Sequence, residues 1–128
     1  MIRRSRFILP GALAIALGIA DPAQSFAVQK SAAAQQLEFG VKMALKGSWL
    51  EAAFRFDKAV KLGGTSTSAR AYNNLAVAKE SLGQFEQARE AYEKALALKV
   101  DEQEDRRIRE NYDRFLNFLK SNRGGVGK

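Results

Sequence analysis

ARAYNNLAVAKESLGQFEQAREAYEKALALKVDE, residues 69–102, carries the pattern on which the rest of the chain is built. Tyr72, Leu75 and Ala76 recur at i, i+3 and i+4, and after Gly83 the series Phe85, Ala88, Tyr92, Ala95 and Leu96 continues on a similar stripe. This spacing places the apolar residues on one face of a helix. Gly83 interrupts the pattern where a short turn must reverse the chain, because glycine tolerates positive φ at little cost. Residues 69–102 therefore read as two amphipathic helices joined by a tight turn.

Shifting the chain against itself by 36 residues finds the same pattern upstream. Ala33 falls on Ala69, Val41 on Val77, Gly47 on Gly83, Ala52 on Ala88, Ala59 on Ala95 and Leu62 on Leu98. Phe39 pairs conservatively with Leu75, Gly40 with Ala76, Trp49 with Phe85 and Phe56 with Tyr92. A period of this length marks stacked repeats. Small residues at Gly40, Ala52, Ala59, Ala76, Ala88 and Ala95 let helix backbones approach closely. Ser48 and Glu51 have the types and spacing of a capping box, and Gly63–Ser68 reads as the loop between copies.

The pattern resembles the tetratricopeptide repeat family in both copies. The second copy fills the family's slots with Tyr72, Leu75-Ala76, Lys79, Ala88, Tyr92, Ala95 and Val100, the first with Gln36, Phe39-Gly40, Met43, Ala52, Phe56, Ala59 and Gly64. Gln36, Lys79 and the absence of proline after either copy depart from it. The resemblance implies an all-α fold, a short α-solenoid of two helix hairpins at about 33–66 and 69–102. A capping helix at about 102–121 follows, with Asp101 as its N-cap and Ile108, Tyr112, Phe115, Leu116 and Leu119 on its apolar stripe. The domain is expected over 28–122, with a frayed tail over 123–128.

The family lines a concave groove with the inner face of each repeat's first helix. Carried onto this chain, that implies Leu37, Val41 and Ala44 in the first copy and Arg70, Asn73, Asn74, Val77 and Glu80 in the second. Trp49, Phe56, Phe85 and Tyr92 read as packing residues, whereas Phe54 lies off the stripe and points inward or outward equally well. Phe39, Gly40 and Met43 are expected to face the repeat core, which leaves Leu37, Val41, Ala44 and Leu45 as an uncovered apolar strip. A strip of that kind is a contact surface, for a partner, for a second copy of the chain, or for the segment 28–32. Of the slots with which some family members clamp a chaperone's terminal carboxylate, Asn74 matches but Leu37 and Val41 do not, so no such clamp is expected.

Residues 1–27 stand apart. Arg3, Arg4 and Arg6 precede an apolar run, Phe7–Ala20, that is too short to span a bilayer as a helix. Ser25 and Ala27 suit signal peptidase. The segment reads as a signal peptide, either cleaved or left inserted as an anchor at 7–20, with the general and twin-arginine routes both open. A periplasmic or extracellular protein follows, or one held at the inner membrane.

The chain has 128 residues with no Cys and no His. It therefore lacks disulfides, thiolate metal sites and the commonest general base. Carboxylates interleave with Lys and Arg on helix faces, hydroxyls sit at turns, and Gly124-Gly125-Val126-Gly127 follows no strand. No catalytic residue, metal site or cofactor is predicted. Past residue 27, 18 Lys+Arg stand against 13 Asp+Glu, and Asp105, Glu110 and Asp113 alternate with the arginines of the last helix. That face reads as ion-paired, and no nucleic-acid binding is expected. The sequence thus predicts a protein-protein interaction module in the cell envelope, with a protein or peptide partner. The alternatives are a self-associating structural subunit, a homo-oligomer filling its own groove, and a membrane-anchored repeat protein.

Overall fold

Gly47 and Gly83, at φ of +77° and +73°, close two turns of the same design. In each, the residue after the glycine donates its backbone N–H five residues back, Ser48 to Met43 at 2.9 Å and Gln84 to Lys79 at 2.8 Å. This is the Schellman arrangement, which ends one helix and reverses the chain. The computed structural model describes residues 30–125. Among them the chain is all-α: α1 (Ala32–Leu45), α2 (Trp49–Leu62), α3 (Thr65–Ser81), α4 (Phe85–Ala97) and α5 (Glu102–Gly125). α1 with α2, and α3 with α4, form two hairpins stacked as a short α-solenoid, and α5 closes the second. The expected leader, residues 1–27, lies outside the described residues, as do 126–128.

Alanines hold the helices close. Ala52 and Ala53 from α2 meet Ala78 from α3 around Phe56, which is 2% exposed. Gly40 permits this, because a Cβ there would stand 2.5 Å from the Phe56 ring. A second cluster joins Ala69, Ala76, Ala88, Ala91, Tyr92 and Ala95 to Ile108 and Phe115 of α5. Leu75 packs against both. Phe85 meets Phe118 edge-on with centroids 5.8 Å apart, and Tyr92 stacks on Tyr112 at 5.3 Å, so α5 covers the aromatic end of the second hairpin.

The joins differ from the sequence reading in three ways. Thr65–Ser68 form the first turn of α3 rather than a loop, leaving Gly63 and Gly64 as the connection. The Ser68 hydroxyl donates to the carbonyls of Val60 and Gly63, at 3.1 and 3.3 Å, and thereby satisfies the end of α2. Ser48 makes no capping bond: its ψ of 68° withholds the side chain from the α2 amides, and Glu51 takes Arg55 at 2.7 Å instead. α5 continues to Gly125, past the expected boundary at Asn122. Asp101 does cap it, accepting from Glu104 N–H at 2.8 Å.

The first hairpin also corrects the reading of Phe39. α3 presents Ala71, Leu75, Ala78 and Leu82 on one stripe, the last three packed with the first hairpin's core. The same slots in α1, 36 residues earlier, hold Gln35, Phe39, Lys42 and Lys46. Phe39 is therefore 39% exposed rather than packed in the repeat core, with the Arg55 guanidinium 4.5 Å above its ring. The face to which an earlier repeat would dock is polar at three of four slots, as on a terminal repeat.

Candidate binding groove

Val41, Ala44 and Leu45 of α1 lie across a groove from Asn73, Asn74 and Val77 of α3, with Trp49 and Phe56 of α2 beneath and Asn111 of α5 at the far side. The cavity has a volume of about 260 Å³. Its apolar side is open to solvent, with Val41 at 39% and Leu45 at 83% exposure. Its polar side is a row of amides: Asn111 Nδ2 donates to Asn73 Oδ1 at 3.0 Å, and Asn73 Nδ2 to Asn74 Oδ1 at 3.4 Å. Arg114 donates to Asn111 Oδ1 from one turn further along α5.

Of the residues expected in the groove, Val41, Ala44, Asn73, Asn74 and Val77 come together there. Leu37 does not line it, and packs against the cluster around Phe56. Arg70 instead reaches the nearly buried carboxylate of Glu104, at 3.6 Å. Glu80 accepts a hydrogen bond from the Tyr92 hydroxyl. Burial raises the Glu80 carboxyl above its ordinary range, against the opposing pull of Tyr92 and then Arg114. Burial, then the Glu80 contact, also raises the Tyr92 hydroxyl. Trp49 and Phe56 were expected only to pack, yet they also floor the groove. Asn111 was missed. It lies on the helix read only as a cap, and the 36-residue period carries it onto Leu75 and Phe39 rather than onto a groove position, so that period held no signal for it.

A second depression, of about 480 Å³, is lined by Asp57, Lys61, Glu90 and Lys94. These groups already satisfy one another, with Lys61 2.6 Å from Asp57 and Lys94 2.7 Å from Glu90. Unlike this depression, the first groove sets apolar surface beside side-chain amides. Among the described residues no cluster of acidic side chains is placed to hold a metal, and no helix is long and apolar enough to cross a membrane.

The family model described as Tetratricopeptide repeat matches residues 69–101, the second hairpin. No curated protein and no solved structure matches the chain. The repeat match supports a protein-protein interaction module, and the first hairpin repeats its helix-turn-helix with the same glycine geometry.

Proposed function

We propose, with that repeat match as premise, that the chain is a non-enzymatic adaptor exported to the cell envelope, where its groove docks a segment of a partner protein. The observation that carries this reading is the open apolar strip of Val41 and Leu45 facing a row of side-chain amides. Such a strip is unfavourable in water and is stabilised when an apolar side chain covers it. The amides alongside can pair with a peptide backbone, whose polar groups must otherwise be desolvated without compensation. Self-association is the weaker alternative, because Gln35, Lys42 and Lys46 occupy the slots that a neighbouring repeat would need apolar. The positive, then apolar, then small-residue order of residues 1–27 supports export.

The test is a photo-crosslinker placed at Leu45 of the full chain in its native envelope. A heterologous adduct that disappears on Ala44→Arg is the expected result. An adduct indifferent to Ala44→Arg, or one containing this chain alone, overturns docking in the groove. Export is read in the same cells, where processing leaves a shorter chain beginning near Val28. An unshortened chain that sediments with the membrane identifies an anchored protein instead.

A further inference from the structure

We infer that Arg114 sets the polarity of the groove's amide row, so that Asn74 presents N–H donors and the groove selects a partner segment with a side-chain carboxylate beside a large apolar residue. The inference rests on the docking reading above and names the chemistry of what docks. Arginine has donors only. Because Arg114 donates to Asn111 Oδ1, the Asn111 amide must turn its NH2 outward, and it meets Asn73 Oδ1 at 3.0 Å. Asn73 is fixed in turn, and its NH2 meets Asn74 Oδ1 at 3.4 Å. The order of donor and acceptor is thus forced from one end, although an isolated asparagine could sit either way.

Asn74 ends the row with its oxygen engaged and its NH2 without a hydrogen-bond partner among the described residues. Hydrogen bonds linked head to tail polarise one another, so a cation at one end strengthens the donor at the other. Glu80, whose carboxylate feels the Arg114 charge, accepts from Tyr92 rather than from this row. The groove therefore pairs a donor-rich, positively polarised side with the apolar side made by Val41, Ala44 and Leu45. A carboxylate complements the first and a neighbouring leucine or phenylalanine the second. A carboxylate at this position forms a charge-assisted bond, while a cation there would leave the Asn74 donors unanswered.

The probe is an array of amidated nonapeptides, each centred on leucine or phenylalanine with Glu, Gln or Lys as the next residue, titrated against the full chain by fluorescence anisotropy. The Glu peptides are expected to bind at least about tenfold more tightly than the Lys peptides, with Gln between them. Arg114→Met, at an exposed position, is expected to reduce that ratio to within about threefold, and Arg114→Lys, which still donates, to restore most of it. Equal binding of Glu and Lys peptides to the parent chain overturns the inference while leaving docking intact, provided Ala44→Arg abolishes both. Silence across the array, with the chain crosslinking to itself at Leu45, overturns both. An independent readout needs no ligand. In the unbound chain Arg114→Met should move the side-chain amide resonances of Asn111, Asn73 and Asn74, and an unmoved Asn74 pair refutes the coupling.

Discussion

Glu80 is held between burial, which favours its neutral form, and two groups that favour its charge, Tyr92 and Arg114, and burial prevails. The folded chain therefore binds this proton more tightly than the unfolded chain does. Its contribution is complete below the ordinary value of 4.5 and is lost as pH rises through the raised one. Glu80→Gln removes the charge and can still accept from Tyr92, so it should raise the urea midpoint at about pH 7, with the gain closing at about pH 4. A gain of equal size at both pH values shows that charge is not the cause. The same residue marks a limit of reading from sequence. The family resemblance implied Glu80 and Arg70 on the groove face, but the partners that divert them, Tyr92 and Glu104, sit on other helices, and a one-dimensional pattern does not contain that encounter. Val41, Ala44, Asn73, Asn74 and Val77 were legible as one face because they lie at helical spacing on the first helix of each repeat and their contacts do not turn them off that face.

Between elements, what decides the fold is which aromatic rings find cover. Phe115, 1% exposed, fills the space between α5 and the second hairpin beside Tyr92 and Phe85, whereas Phe39 caps a face that meets solvent. Phe115→Ala should therefore cost about 3–5 kcal/mol in chemical denaturation, the range for emptying a packed aromatic site. Phe39→Ala should cost about 1 kcal/mol or less, chiefly the contact with Arg55. Comparable losses would mean that the first hairpin is packed as tightly on its outer side as on its inner one. The hairpins themselves were readable because a glycine in the left-handed region and alanines at helix crossings are chemical necessities that leave their residue types in the chain. The joins were less so. Thr65–Ser68 can begin a helix or form a loop, and the choice falls to Ser68, whose hydroxyl has the α2 carbonyls within reach.

For the molecule as a whole, α5 covers one end of the stack and polar side chains face outward at the other. Sedimentation equilibrium of residues 28–128 should accordingly return one monomer mass across a roughly hundredfold range of concentration, with a melting point that does not move. A mass that rises with concentration would restore the self-associating alternative. Leu75 carries a broader implication. As a member of both clusters it leaves neither repeat an independent interior: melting of the first strips it on one side, melting of the second on the other. Since one wall of the groove belongs to each repeat, the docking proposed above would share a single cooperative transition with global stability, and a lesion anywhere in the alanine contacts should diminish occupancy by depopulating the native state rather than by altering its affinity.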